Sequence, residues 1–421
     1  MTQNNDLTKI PSPCFVLEEQ LLDRNLAIFD RVQTDAPIRI MLALKGFALF
    51  HAFPQIRTTL KGASASSLWE ARLAAEEFGT EVHIYSPAYR AEDVGEILTY
   101  ASHMTFNSIG QWEHFRAQVE ASTPHKPSIG LRINPEYSPV ENPLYNSCQP
   151  STRLGVSAVH LGDTLPAGID GFLSHNLCES DSFALEKTLA NIEILFERFL
   201  PQLKWLNLGG GHLMTRTDYD VNHAIEVLNA FHTRHPHIQL LMEPGSAIVW
   251  QTGFLMATVL DLIPTDELTN VMLDVSFTAH MPDCLEMPYK PAIRDAHEPQ
   301  AGKTVYRMGG SSCLAGDFLG DYSFARELAI AMLHRLVPAP TDEMICDGIG
   351  EVANMVAGGA KRHFATTEYR FDISTPTVIL GNPTSLHNPG GTISIACEFT
   401  ASPALTETFL IEVALKPTTV D

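Results

Sequence analysis

The amino-acid sequence predicts an α/β chain: a (β/α)8 TIM-like barrel, then a partial β domain, then a C-terminal α+β segment. Three observations lead there. Between residues 38 and 245, short apolar runs alternate with stretches of helical apolar spacing, the rhythm of parallel strands joined by crossover helices. Eight such runs occur there, more than a doubly wound sheet usually holds. After residue 250 the alternation stops and β-like segments take over.

The predicted strands are "RIMLALK" (39–45), "KGASAS" (61–66), "VHIYS" (82–86), "HMTFNS" (103–108), "SIGLRIN" (128–134), "GIDGFLSHN" (168–176), "KWLNLGGG" (204–211) and "IQLLMEPG" (238–245). Between the second and third, "SSLWEARLAAEEFG" (66–79) keeps Leu68, Ala71, Arg72 and Ala75 at helical spacing and stops at Gly79. "SFALEKTLANIEILFERFL" (182–200) is the clearest helix. Past the barrel, "GFLMATVLDLI", "NVMLDVSF" and "KTVYRMGGSSCLAGDF" (303–318) read as strands of a separate β domain. From about residue 326 the texture becomes a helix, a "PAPTD" break, a second helix and three strands. The expected domains are 20–250 for the barrel, 10–19 with 251–325 for a truncated β domain, and 326–421 for the last segment.

A formal net charge of -21 argues against nucleic-acid or anionic-membrane partners, which need clustered Lys and Arg, and suits cationic small molecules. The N-terminus lacks a basic stretch before an apolar one, and no run reaches the length of a membrane span, so a cytoplasmic location is expected. The seven cysteines show no CxxC spacing, which suggests neither a zinc site nor a disulfide framework.

Chemistry in such a barrel lies at the C-terminal strand ends. There the sequence places Lys45 after the first strand, His175 after the sixth, Gly209, Gly210 and Gly211 after the seventh, and Glu243 after the eighth. Each alone has a plain structural explanation: a snorkelling lysine, a core histidine, a turn, a loop-capping carboxylate. Together they are the parts pyridoxal 5′-phosphate needs: an amine for its aldehyde, backbone N–H groups for its phosphate, an imidazole for its ring face and a carboxylate for its ring nitrogen. Carbanion chemistry, such as decarboxylation or racemisation, follows from that set.

The stretches "PSPCFVLEEQLLDRNL" (11–26), "ALKGFA" (43–48), "ASASSLWEARLA" (63–74), "HNLCES" (175–180), "LNLGGGH" (206–212), "MEPGSAI" (242–248), "FTAHMPDCLEMPYKP" (277–291) and "GGSSCLAGDFLGDYSF" (309–324) carry a family likeness. Residues 10 to 325 resemble the fold-type III pyridoxal-phosphate decarboxylases, and within them the carboxynorspermidine/carboxyspermidine decarboxylases. The resemblance implies that Lys45 is the Schiff-base lysine, His175 stacks on the ring, Gly209–Gly211 belong to the phosphate site and Glu243 meets the ring nitrogen. By the same likeness Cys313 protonates the carbanion, Arg153 in "STRLG" lies near the cofactor, and Asp317 sits in a loop that reaches the neighbouring subunit's site. A homodimer, a carboxypolyamine substrate and the products polyamine and CO2 are implied too. Asp283 and Glu286 in "HMPDCLEMP" offer carboxylates to ammonium groups. His280 with Asp283 lacks the further ligands of a metal site. Diaminopimelate and ornithine decarboxylases share the barrel chemistry and remain competitors.

After "GDYSF" the expected continuation, including a tyrosine at the cofactor phosphate, has no counterpart. Residues 326–421 instead resemble the latter half of a CheX-type chemotaxis phosphatase. "DGIGEVANMVAGGAKRHF" (347–364) matches the helix with its Glu-x-x-Asn pair, and "ISTPTVILG" (373–381) and "FLIEVALK" (409–416) follow in order. Glu351 and Asn354 would share one helix face. The resemblance implies that they engage a phosphorylated response regulator, a second function class beside the enzyme. Two partial modules joined near residue 325 are expected.

Overall fold

The computed structural model describes residues 9–122, 126–287, 289–294, 296–301 and 304–324, with the backbone of two further strands, 393–400 and 408–415. The chain divides into two compact units, one formed by the residues up to Ile10 with Cys14–Met256 and the other by Pro11–Pro13 with the chain from Ala257 onward.

The first unit is the expected barrel. After β1 (Cys14–Leu17) come β2 (Ile38–Ile40), β3 (Leu42–Ala43), β4 (Gly62–Ala65), β5 (Glu81–Tyr85), β6 (His103–Phe106), β7 (Ser128–Arg132), β8 (Gly171–Leu173), β9 (Trp205–Asn207) and β10 (Gln239–Met242). All pairings from β2 to β10 are parallel, in the order β2-β10-β9-β8-β7-β6-β5-β4-β3. The expected first strand is therefore one run interrupted at Met41. Its lower half pairs with β10 and its upper half with β4, so the run is shared by both edges and closes an eight-stranded barrel. Backbone bonds from Met41 N–H to the Met242 carbonyl and from Leu44 N–H to the Ser64 carbonyl continue the closure on both sides.

Alternation within each strand explains two separate cores. Residues facing outward, such as Ile40, Val82, Ile84, Ile129, Leu131 and Leu206, join one large cluster with helix residues including Phe29, Phe196 and Phe231. Inside the barrel, Met41, Trp205 and Leu241 form a small cluster of their own. The Trp205 indole occupies the space that side chains on β7 and β8 would need: a Cβ on Gly130 would lie 2.3 Å from its ring and one on Gly171 2.1 Å. Large and small residues on neighbouring strands thus fill the barrel floor.

The helices follow their sequence signals with local differences. Ser67 caps the helix Leu68–Leu73, accepting the Glu70 N–H. The expected single helix over 66–79 widens into a π turn at Ala74–Phe78 before stopping at Gly79, whose φ is 71°. The helix over 182–200 runs Ser182–Phe196, capped by the Asp181 carboxylate. A strand β11 (Gly253–Met256) pairs antiparallel with β1, so the N-terminal strand, expected in the β domain, belongs to the barrel unit.

The second unit contains a mixed sheet of β12 (Val259–Pro264), β13 (Thr269–Leu273), β14 (Ala296–His297), β15 (Tyr306–Gly309) and β16 (Phe318–Phe324), in the order β12-β13-β15-β16-β14. Strands β17 (Ile393–Thr400) and β18 (Thr408–Leu415) pair antiparallel with each other. Glu351 and Asn354 lie outside the described residues.

Candidate active site

The barrel brings Lys45, His175, Gly209–Gly211 and Glu243 to one mouth. Lys45 follows the last residue of β3 by two positions, and its Nζ lies 3.1 Å from His175 Nε2. His175 stands two residues beyond β8, and its other ring nitrogen, Nδ1, accepts the Gly210 N–H at 3.3 Å. The Nδ1 acceptor fixes the neutral tautomer with its proton on Nε2, toward the lysine. Burial, together with the nearby Lys45 and Arg132 charges, pushes the His175 pKa well below its ordinary value, so the ring is uncharged. Partial burial also lowers the Lys45 pKa from the ordinary lysine value, which Glu243 partly counters.

The glycines are required by space. Gly209 has φ 65° and a Cβ there would sit 2.6 Å from His175 Cβ; a Cβ on Gly210 would lie 2.6 Å from the Glu243 carbonyl oxygen. Gly211, with φ 90°, would press 2.1 Å against the Leu177 carbonyl oxygen. Gly46 and Gly245 touch across the seam, a Cβ on Gly46 falling 2.8 Å from Gly245 Cα, and so draw the Lys45 and Glu243 loops together.

Glu243 is tied down at both ends. Its N–H donates to the Gly209 carbonyl at 2.7 Å, and its Oε1 accepts from Asn207 Nδ2 at 2.6 Å. Burial raises its pKa, but His83, Asn207 and Lys45 outweigh that and hold it below the ordinary carboxylate value, so the acid is an anion. A neutralisable amine, a flat imidazole, an N–H-bearing glycine turn and a fixed carboxylate converge here, and this donor set fits pyridoxal phosphate.

Sequence reasoning missed several residues of this mouth. Arg132, buried at the end of β7, donates to the His175 carbonyl at 2.7 Å and to Tyr85 Oη at 2.9 Å, locking the loop that carries His175. Asn207 and His83 were missed as partners of Glu243. Their signal is the period-two pattern: Glu81, His83 and Tyr85 share one strand face, as do Gly130 and Arg132. Arg153 is exposed in the loop after β7, its carbonyl accepting from Asn107 Nδ2, and lines an open cavity of about 730 Å3 with Asn134 and Cys148.

The remaining predicted residues lie in the second unit. Asp283 and Glu286 are exposed at the two ends of the short helix Asp283–Glu286, where Tyr289 Oη donates to Asp283 at 2.7 Å. Cys313 is exposed in the loop between β15 and β16. Asp317, 4% exposed, closes that loop: its carboxylate accepts the N–H groups of Phe277 at 2.7 Å, Ser312 at 3.2 Å and Thr278 at 3.4 Å. Among the described residues no helix is long and apolar enough to cross a membrane.

Comparison with known proteins agrees with this chemistry. The chain is 65% identical over 328 residues to carboxyaminopropylagmatine decarboxylase of Synechocystis sp., covering 78% of this chain and 84% of that protein. It is 36% identical over 333 residues to carboxynorspermidine/carboxyspermidine decarboxylase of Campylobacter jejuni subsp. jejuni, covering 76% and 85%. A crystal structure of carboxynorspermidine decarboxylase from Campylobacter jejuni, complexed with norspermidine, superposes with a TM-score of 0.68 at 35% identity, covering 75% of this chain and 84% of that one. A family model for the chemotaxis phosphatase CheX matches residues 314–400.

Proposed function

The chain belongs to the carboxynorspermidine/carboxyspermidine decarboxylase family, pyridoxal-phosphate-dependent carboxy-lyases on a (β/α)8 barrel, and on that premise we propose that it decarboxylates a carboxylated polyamine. One observation carries the reading of the site: Lys45, His175, Glu243 and the three-glycine turn meet at one barrel mouth.

When bound, the cofactor supplies an electron-poor ring that accepts the electron pair left behind as CO2 departs. The chain's own residues do the rest. Lys45 would hold the cofactor's aldehyde carbon, and partial burial lowers its pKa below the ordinary lysine value, which makes the amine a readier nucleophile. His175, neutral and aimed by the Gly210 N–H, offers a flat face to the ring. Glu243 keeps the ring nitrogen protonated by remaining an anion itself. In the Gly209–Gly211 turn the Gly209 and Gly210 N–H groups are taken by Asn207 Oδ1 and His175 Nδ1, which leaves the Gly211 N–H to face the phosphate, with Arg153 beside the cofactor. Cys313 is the proposed proton donor to the carbanion, on the loop that Asp317 shapes. Asp283 and Glu286 are the proposed carboxylates for the cationic tail of the substrate. The family likeness supports a homodimer with shared active sites.

The relative at 65% identity makes a guanidino-tailed carboxypolyamine the first substrate to test, ahead of the amino-tailed carboxynorspermidine and carboxyspermidine. CO2 release is measured side by side for these three, diaminopimelate and ornithine. The expected result is a kcat/KM for a carboxypolyamine at least about a hundredfold above either amino acid. Faster turnover of diaminopimelate or ornithine overturns the assignment. For the C-terminal segment, a second reading, contact with a phosphorylated response regulator through Glu351 and Asn354, rests on the sequence likeness of that segment alone. Accelerated phosphate loss from such a regulator, abolished in Asn354→Ala, is its expected sign, and an unchanged rate rejects it.

A further inference from the structure

Beneath the mouth, Glu243 continues into a second polar cluster that the reaction as described leaves unused. His83, on β5 and 4% exposed, turns both ring nitrogens toward carboxylates: Nδ1 lies 3.5 Å from Glu243 Oε1 and Nε2 3.3 Å from Glu81 Oε1. Several elements around the ring contribute. Glu81 comes from its own strand, Glu243 from the end of β10 and the Asn207 amide, bonded to the same Glu243 oxygen, from β9. His103, on β6, lies against the ring with centroids 3.9 Å apart and places its Nδ1 3.3 Å from Glu81 Oε1. Arg39 of β2 pairs with the other Glu81 oxygen, and the Lys45 charge acts on Glu243 from above.

We propose that His83 is a positioning residue for the cofactor site: it is the middle link of a Glu243–His83–Glu81 string that fixes the acid facing the cofactor ring nitrogen. The inference rests on the reading of Glu243 given above. A neutral imidazole has one N–H and would set a lone pair against one of the two carboxylates; only the doubly protonated ring presents a donor to both. Burial alone would strip that proton, but the paired carboxylates outweigh burial and raise the His83 pKa. The bond from His83, with Arg39 beside it and His103 nearby, outweighs burial and brings the pKa of the lower carboxylate down to about 2. His103 in turn, crowded by burial and by the His83 charge, falls to about 4 and stays neutral. Charge therefore alternates along the string: an anion at Glu243, a cation at His83, an anion at Glu81 and a cation at Arg39. A fixed cation behind Glu243 keeps that carboxylate ionised and prevents it from rotating away from the ring. Glu81, His83 and His103 also have the reach of a metal triad, but the Arg39 guanidinium already supplies the positive charge that a metal would bring to Glu81.

The test uses the full-length protein with cofactor, in wild-type form and as His83→Leu and His83→Gln. His83→Leu is expected to keep the cofactor colour, shift its visible absorbance, and lower kcat about thirtyfold while KM moves less than about threefold. His83→Gln, which restores one N–H, is expected to recover about a third of that loss on a logarithmic scale. A readout independent of catalysis comes from 15N-histidine NMR of the cofactor-free wild type at pH 7.5, where both His83 nitrogens are expected to be protonated, with one proton lost in Glu243→Gln. Wild-type kcat and absorbance in His83→Leu, a neutral His83 ring, or stoichiometric bound metal overturns the proposal. If the wild type takes up no pyridoxal phosphate, the reading of the mouth fails instead, and the NMR result still decides the string. If His83→Leu does not fold, His83→Gln and the NMR measurement decide it.

Discussion

Replacing Gly209 with alanine asks the turn after β9 to accept a methyl carbon that has no room. The backbone there has φ 65°, and the new Cβ would stand 2.6 Å from His175 Cβ, 2.9 Å from its Cγ and 3.0 Å from its Cα. Carbon atoms in ordinary contact sit about 3.5–4.0 Å apart, so His175 must retreat by about 1 Å or the turn must open. The left-handed backbone alone costs an alanine about 1–2 kcal/mol, and overpacking against the half-buried His175 adds about 1–3 kcal/mol, together about 2–5 kcal/mol of stability. Displacing His175 also breaks the 3.3 Å bond from the Gly210 N–H that aims its ring. The assay is denaturant unfolding of the cofactor-free protein, paired with pyridoxal-phosphate titration followed by absorbance. Gly110→Ala is the control, because nothing lies within 4 Å of a Cβ in that helix and its stability should hold or rise slightly. Gly209→Ala with the stability of the control and unchanged cofactor affinity would refute the link between the turn and His175.

Three further outcomes follow from packing and charge. Gly171→Ala drives a Cβ to 2.1 Å from the Trp205 ring, so it should destabilise by at least about 2 kcal/mol, while the double variant with Trp205→Leu should recover most of the loss; an additive double-mutant cycle in urea denies the contact. His212 is buried with its pKa lowered to about 4, so the unfolded chain takes up its proton first as pH falls below about 6.5; stability should drop by about 2 kcal/mol between pH 7.5 and 5.0, with a smaller drop in His212→Leu, and an equal drop in both rejects the assignment. Asp317→Ala strands the N–H groups of Phe277, Thr278 and Ser312 and should cost about 2–5 kcal/mol, part of it regained by Asp317→Asn; near-wild-type unfolding of the alanine variant contradicts that role.

The barrel was legible because parallel strands covered on both faces leave continuous apolar runs, and "IQLLM" and "RIMLAL" show them plainly. The break at Met41 was not legible, since a shared strand that bridges two neighbours has no composition of its own. The π turn at Ala74–Phe78 was hidden for a similar reason: its residues are good helix formers, and only the stop at Gly79 leaves a mark. The mouth residues were visible as polar groups following strands, where a barrel leaves room for chemistry. Their supports were harder to see, because Arg132 and His83 lie within strands and point into the lumen, where they interrupt an apolar run. Reading each strand by alternate residues separates the two faces, and Glu81, His83 and Tyr85 then stand out together.

The central claim is that Lys45 carries the cofactor, and chemical reduction tests it most directly. The protein is saturated with pyridoxal phosphate, reduced with borohydride, digested and mapped by mass spectrometry. A single phosphopyridoxyl group on the peptide containing Lys45, absent in Lys45→Ala, is the predicted result; the label on another lysine, such as Lys61 or Lys187, or undiminished labelling of Lys45→Ala, would contradict the account.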